Sequence, residues 1–216
     1  MRLRNIRRAD ETIEHHFAAI HEPYIKKGKW NVVFENENPL HIEIGMGKGQ
    51  FLLTLASRNP DINYVGIERY SSVLLRALEK YDLDEYNRLT NIRFICMDAR
   101  NLADAFDKGE VKRIYLNFSD PWPKVRHAKR RLTSKEFFQC YQQILDRSGV
   151  VEFKTDNTSL FQFSLEQVEE AGWKLRAKTF DLHHDETLCK GNVMTEYETK
   201  FSSLGHSIHK LIASQE

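Results

Sequence analysis

The chain has 216 residues, 41% of them hydrophobic and 29% charged, with a net charge of +1; these proportions suit one packed domain of ordinary size. No apolar run approaches the roughly 18 residues of a membrane span, and the arginine-rich start, Met1–Arg8, is not followed by the apolar stretch of a secretory signal. Three widely spaced cysteines, Cys96, Cys140 and Cys189, lack any C-x-x-C spacing and suit free thiols in a reducing cytoplasm better than disulfides or zinc.

In chain order, residues 1–38 read as a basic N-terminal extension with a weak helical pattern, on a single domain spanning 1–216. Arg2, Arg4, Arg7 and Arg8 there are either a second contact for a polyanion or a loose tail. From Leu40 onward, short apolar runs alternate with helical patterns. Strands are expected at His41–Ile44, Tyr64–Ile67, Ile92–Cys96, Arg113–Asn117 and Val150–Lys154. Helices are expected near Phe51–Ser57, Ser71–Tyr81, Ala103–Phe106 and Lys135–Leu145. Thr133 and Glu136 have capping-box spacing for the last of these. A further helix runs from about Ser159 to Ala171 and stops at Gly172. Two final strands, Lys174–Phe180 and Glu196–Phe201, follow with no helix between them. The predicted fold class is α/β: a doubly wound, mostly parallel seven-stranded sheet with an antiparallel edge strand.

The first strand runs into Gly45, Gly47 and Gly49 and then a helix, so the backbone there can turn tightly and approach a ligand at the carboxyl end of the sheet. Gln50 stands where a dinucleotide fingerprint carries its third glycine. Glu68 ends the second strand, where a carboxylate can accept from both ribose hydroxyls, and Asp98 follows the third, facing the adenine end. Glu43 suits a ligand ammonium and would repel a pyrophosphate. Taken singly, each acid also reads as a solvated strand end.

Asn117-Phe-Ser-Asp-Pro-Trp-Pro-Lys124 follows the fourth strand, its two prolines fixing the loop; alone, it reads equally as a rigid turn with Trp122 plugging the core. Lys124, Arg126, Lys129, Arg130 and Arg131, with His127, then form a run without an acid. Such a run is either a solvated face or a grip on phosphate.

These stretches, with Ile44–Gly49, Phe153-Lys-Thr-Asp-Asn157 and Gly191-Asn-Val-Met-Thr-Glu-Tyr-Glu198, resemble the bacterial tRNA (guanine-N7)-methyltransferase (TrmB) family, in family order and over most of the chain. The resemblance implies a Rossmann-like methyltransferase domain that uses S-adenosylmethionine to methylate a tRNA guanine, in the variable loop. It implies donor contacts at Glu43, Glu68, Asp98 and Asp120, with Asp120 catalytic. It implies substrate contacts at Lys124, Asp156, Thr195, Glu196, Tyr197 and Glu198, and RNA along Arg126, His127, Lys129, Arg130 and Arg131. Family members are monomers or homodimers.

The chemistry fits such residues. Guanine N7 carries an exposed lone pair and needs no strong base, so alignment supplies much of the rate. A carboxylate such as Asp120 favours the positive charge that develops on the purine. Either Asp156 or Glu198 can accept from guanine N1–H and the exocyclic amine together. His183, His184, Asp185 and Glu186 resemble a metal cluster only superficially, because neighbours on a strand end point apart. Phe137, Phe138 and Tyr141, at helical spacing, read as core. Rival readings are a small-molecule or protein methyltransferase, which has no use for five adjacent cations, a non-catalytic RNA-binding relic, and a nicotinamide-dependent dehydrogenase, disfavoured by Gln50 and Glu43.

Overall fold

The computed structural model describes residues 6–216, so Arg2 and Arg4 lie outside the described residues. The chain opens with α1 (Ala9–His15), a 3-10 turn (Pro23–Lys26) and α2 (Trp30–Phe34). It then alternates through β1 (Leu40–Ile44), α3 (Gln50–Arg58), β2 (Asn63–Glu68), α4 (Ser71–Tyr81), β3 (Ile92–Cys96), α5 (Leu102–Ala105) and β4 (Val111–Asn117). A 3-10 turn (Val125–Arg130) leads to α6 (Lys135–Gln142), β5 (Leu145–Thr155), α7 (Thr158–Glu170) and β6 (Lys174–Thr179). The chain closes with α8 (Glu196–Ser202) and β7 (His209–Ser214).

The seven strands form one sheet in the order β3-β2-β1-β4-β5-β7-β6. β1 through β5 pair in parallel. The antiparallel element at that end is β7, which lies between β5 and the outermost strand β6. Strand order reverses between β1 and β4, and a doubly wound sheet opens its ligand crevice at that point, beyond the carboxyl ends of the strands.

Both faces are covered. Ile42, Ile44, Val65 and Ile114 pack with Trp30, Phe106, Phe138, Tyr141 and Phe161 on one side, and Tyr64, Phe94 and Tyr115 pack with Phe51, Leu52, Leu74 and Tyr81 on the other. Burial on both faces accounts for the near-continuous apolar strands that made the sheet legible. The N-terminal stretch is part of this packing. Trp30 is buried and donates from Nε1 to the Ala105 carbonyl at 2.9 Å. Ala18 and Ile20 bond to Phe94 and cover the β3 edge.

Glu196–Phe201, expected as a strand, is instead helix α8, and the seventh strand is His209–Ser214. The Thr195 hydroxyl accepts from the Glu198 backbone N–H at 2.9 Å, so Thr195 is a helix N-cap. A helix therefore does separate the last two strands. The expected helix over Lys135–Leu145 stops at Gln142, and Leu145 already belongs to β5. Its N-cap is Ser134; the Thr133 hydroxyl is buried and accepts from Ser164, so the capping box read at Thr133 does not form.

Candidate active site

The glycine loop begins the site. Gly45, Gly47 and Gly49 take φ values of 73°, 60° and 76°, a left-handed region that side chains with a Cβ rarely enter. Gly66 on β2 matters as much, because a Cβ there would drive into the Met46 sulfur. The loop can therefore lie directly on β2, and the Gly47 N–H donates to Glu68 Oε2 at 3.2 Å.

A cavity of about 680 Å³ opens beside this loop. Gly45, Glu68 and Asp98 line it together with Phe118, Asp120, Trp122, Lys129 and Arg130. Phe137, expected as core, packs in the core and also reaches this cavity. Burial pushes the Glu68 carboxyl above its ordinary value; backbone N–H groups of Tyr70, Gly47 and Arg69 oppose that, and the Asp120 charge adds to it. Asp98 is held down to about 2, chiefly by its hydrogen bonds from the Arg100 side chain, with Arg69 also contributing.

Glu43 lies beneath the loop, 2% exposed. Its Oε1 accepts from Asn117 Nδ2 at 2.8 Å, whereas Oε2 is buried and has no partner among the described residues. Burial pushes this carboxyl up to about 8, against the pull of Asn117 and Lys154. An unpaired buried oxygen of this kind is costly, and a cationic amino group is the ligand that would satisfy it.

Asp120 is exposed, on a loop where Phe118 and Trp122 hold φ at 51° and 42°. Non-glycine residues in that region signal strain, which concentrates where a site is being shaped. Arg131 donates from Nε to the Pro121 carbonyl at 3.0 Å and from Nη2 to the Trp122 carbonyl at 3.2 Å. Lys124 and Arg126 are exposed. Lys129 pairs with Glu136 at 3.0 Å, Arg130 sits 5.1 Å from the Trp122 ring centre, and His127 meets that ring edge-on.

The second group lies past β5. Asp156 Oδ2 accepts from the Tyr197 hydroxyl at 3.1 Å. The Tyr197 ring packs 4.8 Å from Phe118, which itself lines the cavity, and 4.1 Å from Phe201. Asp156 and Tyr197 thus adjoin the cavity through a single ring, that of Phe118.

The other residues expected beside them are differently employed. Glu196 turns to Lys80 at 3.0 Å. Glu198 is fully buried: Oε2 accepts from Lys154 at 2.6 Å, while Oε1 accepts from Asn192 at 2.7 Å and lies 3.0 Å from His183 Nε2. Its carboxylate is therefore not free to read a base in this conformation, and Thr195 is occupied as the cap. His183 and His184 serve different acids, Glu198 and Asp181.

Sequence reasoning assigned no role to Asn117, Lys154, Phe118, Arg69 or Arg100. The first three stood inside the quoted motifs. Arg100 grips Asp98 two residues before it; the other four act through neighbours from other strands or loops, which spacing along the chain does not reveal.

A family model described as a putative methyltransferase matches residues 37–211. The tRNA (guanine-N(7)-)-methyltransferase of Lachnoclostridium phytofermentans is 59% identical over 216 residues, covering 100% of this chain and 99% of that protein. The protein of the same name from Bacillus subtilis is 48% identical, covering 97% of each. Among solved structures, the 16S rRNA methyltransferase KamB superimposes with a TM-score of 0.64 at 14% identity, over 87% of this chain and 92% of that one; at that identity the likeness concerns the fold. With the sheet order, the strained loop and these relatives together, the chain belongs to the tRNA (guanine-N(7)-)-methyltransferase family.

Proposed function

We propose that this chain transfers a methyl group from S-adenosylmethionine to N7 of a guanine in tRNA, as a cytoplasmic enzyme. The observation that carries the reading is one shared cavity, lined by Gly45, Glu68 and Asp98 together with Asp120, Lys129 and Arg130. A donor held by the first three meets a base delivered by RNA gripped at the last two.

The donor supplies an electrophilic methyl on a sulfonium, which becomes a neutral thioether as the carbon–sulfur bond breaks. In this reading Glu43 receives the donor's ammonium on its unpaired Oε2, and Glu68 keeps lone pairs for the ribose beyond those used by backbone N–H groups. Asp98, ionised and restrained by two arginines, borders the adenine side. The N7 lone pair attacks without a prior deprotonation, so Asp120 acts by orientation and by stabilising the purine cation.

For the base, Asp156 is the better acceptor: its Oδ1 has no protein donor among the described residues, whereas both oxygens of Glu198 are engaged. Tyr197 and Phe118 offer an aromatic edge beside it, suited to a base taken out of its stack. Lys124, Arg126, Lys129 and Arg130 supply phosphate contacts, which position RNA without reading sequence. No helix among the described residues is long and apolar enough to cross a membrane.

The test is incubation with donor labelled in the methyl group and an unmodified tRNA transcript, followed by chemical strand scission at 7-methylguanosine. Label at a single guanine supports the proposal. Unlabelled tRNA, or label on a base that resists scission, rejects it.

A further inference from the structure

We propose that Arg131, although it ends the basic run, is a positioning residue for the Asp120 loop rather than a contact for RNA phosphate; the inference rests on the proposed methyl transfer to tRNA. Arg126, Lys129 and Arg130 are exposed, whereas Arg131 is half-buried. Its Nε and Nη2 donate to two successive carbonyls, those of Pro121 and Trp122. The plane of its guanidinium rests over the Phe163 ring, with the central carbon 4.2 Å from the ring centre. One side chain thereby spans the loop after β4, the end of the 3-10 turn and helix α7.

The two carbonyls belong to the residues immediately after Asp120, and Trp122 is one of three non-glycine residues with positive φ among the described residues. A strained backbone persists only when its surroundings over-determine it. Here the fork of Arg131 holds two consecutive peptide oxygens, and the rigid planar spacing of its donors suits that task. A lysine carries the same charge but presents it as a point on a flexible stem, and cannot reproduce the fork or the stacking. The same residue bonds through its backbone N–H to the Ala128 carbonyl at 3.0 Å, which closes the cationic turn. Seating of phosphates by Arg126 and Arg130 is therefore coupled mechanically to the placement of the Asp120 carboxylate.

The test compares Arg131→Lys with Arg126→Ala in the full chain, using unmodified tRNA transcript and saturating S-adenosylmethionine. For Arg131→Lys, the single-turnover rate at saturating tRNA should fall roughly tenfold to a hundredfold, the scale expected when a reacting group is misplaced by about an ångström. Its affinity for tRNA should stay within about twofold of the parent, with the same salt dependence. Arg126→Ala should show the opposite signature, weaker binding and a log–log salt slope shallower by about one. Phe163→Leu, which keeps Arg131 and removes the ring beneath it, should lower the single-turnover rate in the same direction. This second variant also decides the matter if Arg131→Lys fails to fold, as a thermal melt would reveal. Weakened binding with a flattened salt slope and an intact rate in Arg131→Lys would make it a phosphate contact and overturn the inference. An unchanged rate in both Arg131→Lys and Phe163→Leu would overturn it too. A parent protein that leaves tRNA unmethylated would instead strike the proposed function, so the two failures are told apart.

Discussion

Asn117 donates a 2.8 Å hydrogen bond to one oxygen of Glu43, and the other oxygen is buried with no partner among the described residues. The carboxyl is raised to about 8 by burial, so at pH 7 the free protein holds it mainly protonated. The native state keeps a proton that the unfolded chain releases near 4.5, so this group destabilises the fold progressively as pH rises from about 4.5 to 8. A bound ammonium reverses that by favouring the carboxylate.

Donor binding should therefore expel a proton. Calorimetric titration with S-adenosylhomocysteine at pH 7, in buffers of different ionisation enthalpy, should report release of about one proton per ligand. In Glu43→Gln the release should vanish and affinity should fall. Wild-type binding with no buffer dependence would remove Glu43 from the donor site.

Base choice should depend on the Asp156 carboxylate. Replacing the target guanine by inosine deletes the exocyclic amine and keeps N7. The parent enzyme should then lose about 1–3 kcal/mol in kcat/KM, since one of the two hydrogen bonds to the carboxylate is gone while N1–H stays. Asp156→Asn should be slower on guanine and lose most of that preference. Should Glu198→Gln, and not Asp156→Asn, abolish the discrimination, the carboxylate of Glu198 must leave Lys154 when RNA arrives.

The parts of this molecule that were legible in the sequence are those with a local signature. Short apolar runs alternating with helical patterns marked β1 to β5, and the acids Glu43, Glu68 and Asp98 stood out near the carboxyl ends of β1, β2 and β3. Thr195–Phe201 was misleading because threonine, tyrosine and phenylalanine alternate with polar residues as in a strand. The Thr195–Glu198 spacing was itself a capping signature, and it prevailed. β7 escaped notice for a different reason. It buries His209 and Lys210, whose compensation comes from Thr158, Phe180 and Glu152 at distant positions in the chain. Likewise nothing local separates Arg131 from Arg130; only the carbonyls of Pro121 and Trp122 do.

Glu196 makes a sharper case against carrying a motif over whole. It sits between two residues near the acceptor side, yet its carboxylate faces Lys80 on α4, which also donates to Gln50. It is more than half exposed, and pairs of that kind contribute from about 0 to 1 kcal/mol. Glu196→Gln should leave thermal stability within about 1 kcal/mol, with guanine-over-inosine preference and tRNA affinity both at parental values. A substantial loss of either would return Glu196 to the substrate site.

Lys154 and Glu198 form a buried ion pair, with side chains 1% and 0% exposed and 2.6 Å between charged atoms. Burial alone would push Glu198 up; Lys154, His183 and Asn192 outweigh it and hold the carboxyl below its usual range. The contribution of Glu198 to stability is therefore present above about pH 4.5 and is lost as pH falls below that value. Removing one partner leaves a buried charge without compensation, which costs about 3–5 kcal/mol. Lys154→Met should lower the denaturation midpoint accordingly, and more so than Glu198→Gln, since the glutamine can still bond to Asn192. The pair also joins β5 to α8 and to the Asn192–Val193 loop, so its loss should loosen Tyr197 against Phe118. Lys154→Met should accordingly raise KM for tRNA. A parental melting profile for Lys154→Met would mean that the pair is not closed in solution, and would free Glu198 to act on the base directly.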